Sequence, residues 1–291
     1  MKIWLLAIRP KTLPAAAAPV VVGAALAYGD GGFQFITALV VLLVALLLQI
    51  GSNLANDVFD YEKGADEGER LGPTRVAQSG LLTPGEIKLG MWVVFGAAAI
   101  LGLYLIFIGG WPMLLLGAAA ILAAIAYTGG PYPLGYHGLG EAFVFLFFGL
   151  AAVAGTYYLQ TGAITPVVWW MAVAMGLLIT AILVVNNLRD LENDRRAGKR
   201  TLAARFGAGF ARMEYLFCIL TAYFIPAGLI LAGKLTIWSG LVLLTLPLAI
   251  RLLRSVYTDQ GRALNKTLAG TGQLALFYAL AFAAGVLLGY H

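Results

Sequence analysis

Long apolar runs separated by short polar stretches dominate the chain. A helix needs about 20 apolar residues to cross a bilayer. Nine runs of roughly that length stand out, at 13–29, 34–55, 88–109, 112–127, 140–160, 166–188, 211–232, 236–253 and 268–289. No stretch between them is long enough for a separate soluble unit, so residues 1–291 read as a single transmembrane domain. The pattern predicts an all-α, polytopic membrane protein of about nine transmembrane helices in one bundle.

Composition agrees. Hydrophobic types make up 61% of the 291 residues and charged types 11%, with a mean hydropathy of +0.87. An ordinary soluble domain carries about 25% charged residues, so a soluble fold is excluded. The single cysteine, Cys218, excludes an intrachain disulfide and any CxxC-type metal or redox site.

The net charge of +5 would suit a nucleic-acid partner in a soluble protein. Its distribution argues for no nucleic acid. Every Lys and Arg except Lys234 falls in four short segments: 2–11, 63–88, 189–212 and 251–266. Nine spans alternating sides from a cytoplasmic N-terminus bring all four segments to one face. That is the positive-inside pattern, and it predicts a cytoplasmic N-terminus and cytoplasmic basic loops.

The acids carry more information. Seven of the 14 lie between Asp57 and Glu86, and three between Asp190 and Asp194. Each cluster begins where an apolar run ends. If the second span continues as a helix, Asn53, Asp57 and Asp60 stand at i, i+4 and i+7, with Asn56 four residues before Asp60. In the second cluster Asn187, Asp190 and Asp194 stand at i, i+3 and i+7. A solvated helix end explains the charges, but not amides and carboxylates sharing one stripe twice. Like charges at this spacing repel, so a cation is expected between them. No His or Cys accompanies them. Carboxylate and amide oxygens suit Mg²⁺, which shares its shell with substrate phosphates. Lys63, Arg70 and Arg75 follow the first cluster and Lys199 the second, so a diphosphate is the expected anion. Glu141, near the start of the fifth run, is read as a carboxylate stabilised by a helix N-terminus.

These residues resemble the UbiA-type superfamily of intramembrane aromatic prenyltransferases. That superfamily carries Asn-x-x-x-Asp-x-x-x-Asp after its second helix and Asp-x-x-x-Asp after its sixth. Asn56 and Asp60 match the first two positions of the first motif. The third falls on Gly64, with Asp66 the nearest acid. Asp190 and Asp194 match the second motif. Further segments look like the 1,4-dihydroxy-2-naphthoate polyprenyltransferase branch of menaquinone synthesis. They are Arg9-Pro-Lys-Thr-Leu-Pro14, Gly72-Pro-Thr-Arg75-x-x-Gln78-Ser-Gly80, Tyr127-Thr-Gly-Gly-Pro-Tyr132, Gly138-Leu-Gly-Glu141 and Gly198-Lys199-x-Thr201. The Asp57-to-Asp66 spacing belongs to the same branch.

The resemblance implies a bundle around a central cavity in a bacterial plasma membrane, where membrane lipid surrounds the enzyme. There a polyprenyl diphosphate ionises and its allylic cation alkylates an aromatic acceptor, with loss of diphosphate and CO₂ to give demethylmenaquinone. Mg²⁺ is the implied cofactor. Asn56, Asp60, Asp190 and Asp194 are its implied ligands, with Asp57, Asp66 and Asn187 beside them. Asp60, Asp190 and Tyr127 are the implied catalytic groups. Lys63, Arg70, Arg75 and Lys199 would hold the diphosphate. Arg9, Asn53 and Tyr132 would hold the acceptor. Alternatives within this chemistry are 4-hydroxybenzoate, homogentisate or a phytyl donor. From another class stands an ion-coupled transporter, with Gln49 and Gln160 as its polar groups at mid-depth.

Overall fold

The computed structural model describes residues 2–64 and 71–289; Asp66 and Arg70 lie outside the described residues. Among the described residues the chain is helical, without strands. A short α1 (Lys2–Ile8) and a 3₁₀ turn (Pro10–Thr12) lead into α2 (Leu13–Gly29). Then come α3 (Phe35–Glu62), α4 (Pro84–Gly109) and α5 (Trp111–Ala126). The next span is composite: α6 (Gly140–Val144), a π-helical segment (Phe145–Ala151) and α7 (Ala152–Thr161). It is followed by α8 (Pro166–Arg196) and α9 (Leu202–Leu231). A 3₁₀ segment (Ile237–Thr245) continues into α10 (Leu246–Thr258), and α11 (Leu264–Gly289) closes the bundle. Eight of these helical stretches are long and apolar enough to cross a membrane, and α5 is a shorter apolar helix. The nine runs read from the sequence correspond to them one for one.

The boundaries differ where local chemistry outweighs hydropathy. The third span begins at Pro84 rather than 88, because Thr83 and Glu86 form a reciprocal capping box. The seventh begins at Leu202 rather than 211, because the Thr201 hydroxyl accepts from the Ala204 N–H. Gly207, at φ 86, then kinks α9 where the apolar run proper begins. More important for function, α3 and α8 do not stop with their apolar runs. Each continues as helix through its acidic cluster, to Glu62 and Arg196.

The core is divided. One large cluster joins α2, α7, α8, α9 and α11, with Tyr215, Tyr278 and Phe282 fully buried in it. A smaller one joins α1, α3 and α4 around Leu54, Ile87, Met91 and Phe95. α8 is the central helix, with buried residues along its whole length. The acidic ends of α3 and α8 and the 127–140 loop meet at one end of the bundle. At the other end Tyr157 donates to Asp30 over 2.5 Å, and Gln160 accepts from the Gln34 N–H over 2.6 Å.

Candidate active site

Two adjoining cavities lie among the helices. One is polar, about 640 Å³, and lies where α3 and α8 end. The other is almost wholly apolar, about 450 Å³, and lies deeper between α3, α4, α5 and the composite span. Gln49, Ser52, Tyr127, Val144 and Phe148 line both.

The first cluster is split by its own helix. Successive residues turn by about 100°, so a stripe as broad as Asn53–Asp60 meets different neighbours at its two edges. Asn56 and Asp60 face the polar cavity. Asp60 is nearly buried and fully engaged. Arg75 Nη2 pairs with it at 2.5 Å, Lys199 Nζ at 3.3 Å, and the Tyr136 hydroxyl donates to it. Asn53 also lines the cavity, but its amide N–H groups go to the Ile8 carbonyl at 2.8 Å and the Thr12 hydroxyl at 2.9 Å. Asp57 turns away from the cavity. Its carboxylate accepts from the backbone N–H of Val76 (3.3 Å) and Ala77 (3.1 Å) and pairs with Arg9 at 3.3 Å. With both oxygens committed, Asp57 holds the loop after α3 rather than facing a ligand. Asp57→Ala is therefore expected to destabilise the protein by about 2–4 kcal/mol, as loss of a buried, fully bonded carboxylate does, without raising the Mg²⁺ concentration needed for activity. Thermal unfolding and a Mg²⁺ titration check this; an unchanged melting temperature with a raised Mg²⁺ requirement would show the opposite role.

The second cluster stays together. Asp190 and Asp194 both line the cavity, with Asn187 one turn deeper. Asn187 Nδ2 donates to Glu141 Oε1 at 2.8 Å, which leaves its Oδ1 for the cavity. Glu141 is 7% exposed and is thus a supporting side chain for Asn187, a role beyond the helix-terminus reading. Asp194 accepts from the Thr201 hydroxyl, and its carbonyl from the Lys199 N–H, so the 198–201 turn folds back under α8.

Besides Asp57, two expected residues are not brought to the cavity. Tyr132 is 57% exposed and stacks on His137 at 3.6 Å between ring centres. Its loop turns outward, and Tyr136 takes the inward place. Lys63 donates to the Thr128 and Gly130 carbonyls at 2.8 and 2.9 Å, pinning the 128–130 turn. Burial and the neighbouring Lys199 lower its pKa against the opposing pull of Asp60. Arg9 does line the cavity, in a left-handed backbone conformation (φ 53) that is uncommon for a residue with a Cβ. Tyr127 sits where the two cavities meet.

Tyr136, Arg189, Asn186 and Thr128 are among the cavity residues not read from the sequence. Tyr136 bonds Asp60 and lies under Lys199, whose Nζ is 4.4 Å from the ring centre. Arg189 forks onto Asp190. Asn186 and Thr128 complete the walls. Arg189 had a signal: it is the one cation inside the second acidic stripe. Tyr136 had none beyond its place in the loop.

The profile of the UbiA prenyltransferase family matches residues 16–280. The chain belongs to this family. The 1,4-dihydroxy-2-naphthoate octaprenyltransferase of Escherichia coli is 40% identical over 98% of this chain and 95% of its own length. The enzyme of the same name from Mycobacterium tuberculosis is 40% identical over 98% and 97%. A 2-carboxy-1,4-naphthoquinone phytyltransferase from Synechocystis is 31% identical over 98% and 92%. The fold matches an apo UbiA homologue from Aeropyrum pernix, with a TM-score of 0.70 at 18% identity over 95% of this chain and 97% of that one. It also matches a UbiA homologue from Archaeoglobus fulgidus bound to DMAPP and Mg²⁺, with a TM-score of 0.67 at 16% identity over 96% and 98%. In this UbiA-family chain the third position of the first motif, Gly64, lies at φ 67, where the chain leaves α3. Glycine takes that left-handed conformation without a Cβ penalty. Of the two groups named for a transport pathway, Gln160 lies at the far end of the bundle, where its Oε1 accepts from the Gln34 N–H, and Gln49 donates to Thr12 and Asn53.

Proposed function

We propose that the chain joins a polyprenyl diphosphate to 1,4-dihydroxy-2-naphthoate, with loss of diphosphate and CO₂, giving demethylmenaquinol, the reduced form of demethylmenaquinone. The observation that carries this reading is the pair of cavities: a charged chamber ringed by two acidic helix ends, opening directly into an apolar chamber able to take an isoprenoid tail. The full-length similarity to naphthoate prenyltransferases supports the choice of acceptor.

The donor set fits Mg²⁺. Asp60, Asp190 and Asp194, with the amide oxygens of Asn56 and Asn187, offer hard oxygens without thiol or imidazole. Among the described residues no three acids converge closely enough to hold one ion alone. Mg²⁺ bound by one or two carboxylates and completed by substrate phosphates is the arrangement this spacing supports. Bound there, Mg²⁺ would stabilise the charge that develops on the diphosphate as the C–O bond breaks.

The remaining work falls to the chain. Arg75, Lys199 and Arg189 present cationic donors to diphosphate oxygens from three sides. Tyr127 puts an aromatic ring between the two chambers, where the allylic carbon would lie, and stabilises the cation through its face. Phe148 and Val144 keep water from that carbon. Arg9, held by Asp57, offers a guanidinium for the acceptor carboxylate. The basic segments at this end support a site facing the cytoplasm from a plasma membrane.

The test is a matrix of donors (isoprenoid diphosphates of several lengths and phytyl diphosphate) against acceptors (1,4-dihydroxy-2-naphthoate, 4-hydroxybenzoate and homogentisate). Purified protein is incubated with Mg²⁺ and products are read by mass spectrometry. The expected product is the decarboxylated naphthoquinol adduct with equimolar diphosphate. Turnover of 4-hydroxybenzoate or homogentisate and none of the naphthoate would overturn the assignment.

A further inference from the structure

Two of the three carboxylates that line the polar cavity, Asp60 and Asp190, already hold cations, and those cations belong to the protein. Asp190 is gripped by the fork of Arg189, Nε to Oδ1 at 2.9 Å and Nη2 to Oδ2 at 2.5 Å. Asp60 is paired with Arg75 and Lys199. The first grip is built rather than incidental. Residues i and i+1 of a helix diverge by about 100° and do not face each other, so Arg189 has to be steered onto its neighbour. Asn186 accepts from Nη2 at 2.8 Å and Asn265 from Nη1 at 2.9 Å. Asn265 in turn donates to the Leu71 carbonyl at 2.7 Å, which brings the 71–75 loop and its Arg75 to the same place. Gly72 leaves the room: a Cβ there would lie 3.0 Å from Arg189 Nη2.

Arg189 is 5% exposed and still lines the cavity. A metal ion arriving alone at Asp190 would have to displace the guanidinium, and neutral amides would then be its main partners. A buried cation without an anion is costly. A diphosphate arriving with the metal removes that cost, because its oxygens accept the same fork that the carboxylate releases. Among the described residues no three acids converge to hold one ion by themselves.

We infer that Arg189 is an exchangeable counter-ion, moving from Asp190 to the diphosphate, so that the site takes up Mg²⁺ together with diphosphate and resists Mg²⁺ alone. Arg189 is thus a positioning residue for Asp190 before binding and a diphosphate ligand after it. This rests on the metal-and-diphosphate reading of the cavity given above.

Calorimetric titration of the detergent-purified full chain tests it, with Mg²⁺ alone and with Mg²⁺ in the presence of saturating inorganic diphosphate. Wild type, Arg189→Gln and Arg189→Lys are compared, with thermal unfolding to establish that each is folded. Arg189→Gln is expected to bind Mg²⁺ alone about tenfold more tightly than wild type, and Mg²⁺ with diphosphate about tenfold more weakly, roughly one charged contact in each direction. Arg189→Lys, which keeps the charge but loses the fork, is expected to fall between in both arms. The inference is overturned if wild type binds Mg²⁺ equally well with and without diphosphate, or if Arg189→Lys, as a folded variant, changes both arms in the same direction. A wild type that binds no Mg²⁺ even with diphosphate overturns the metal-site reading itself. Tight joint binding without the opposite shifts overturns only the exchange.

Discussion

Asp60→Ala is expected to lower kcat for prenyl transfer by about 10³-fold or more, the scale seen when a group that stabilises developing charge is removed. Asp60 is where Arg75, Lys199 and Tyr136 converge, so its loss removes an anionic oxygen for the metal and scatters three groups around the diphosphate. Asp190→Ala is expected to behave similarly, because it takes the fork of Arg189 and faces Asp60's side of the cavity from α8. The measurement is diphosphate release and product mass at saturating donor and acceptor, with helicity and melting temperature to show that the bundle persists. Activity within tenfold of wild type in either folded variant would remove the two-cluster site. Asp60→Asn separates the contributions: it keeps the shape and one acceptor oxygen but not the charge, and should stay nearly as inactive as the alanine variant.

The second large effect concerns packing. The π-helical segment Phe145–Ala151 crosses α8 with backbone against backbone at Gly149 and Gly176. A Cβ on Gly149 would lie 2.5 Å from Gly176 Cα and 2.9 Å from the Ala172 carbonyl, and neither is a flexible side-chain end that can move aside. Close helix approach through small residues is the usual basis of association in a bilayer, where apolar surface alone gives no preference for protein over lipid. Gly149→Ala should therefore force the two segments apart, at about 1–3 kcal/mol for overpacking, or a fall in melting temperature of about 3–10 °C for a chain of this size. Gly149→Leu should leave little folded protein. Gly96→Ala on α4, where a Cβ meets nothing within 4 Å, is the matched control and should melt with wild type. Because α8 carries Asp190 and Asp194 and the π segment carries Phe148, the Gly149→Ala protein should also lose activity through the wall between the chambers. A melting temperature equal to that of the Gly96 control would show that the crossing yields without cost.

Much of this protein was legible one residue at a time. A bilayer makes apolar length decisive, so the eight candidate spans and the shorter α5 among the described residues follow from hydropathy alone. Scarcity of charge also made the acidic clusters visible, and their helical spacing held because α3 and α8 continue through them. Only the tertiary structure decided what each member of a cluster does. Asp57 and Asp60 are the same residue type, about one helical turn apart. Yet Asp57 meets the backbone of Val76 and Ala77 while Asp60 meets Arg75 and Lys199, because a loop covers one edge of α3 and a cavity the other. Tyr132 and Tyr136 likewise trade places through the path of a loop that no periodicity describes. Arg189 was counted from the sequence as one more topological cation. Its grip on Asp190 depends on Asn265 and Leu71, residues remote in the chain that only packing brings together. Spans are set by the solvent each residue must face, a property the chain carries locally. Roles at the site are set by partners, and partners are supplied by the fold.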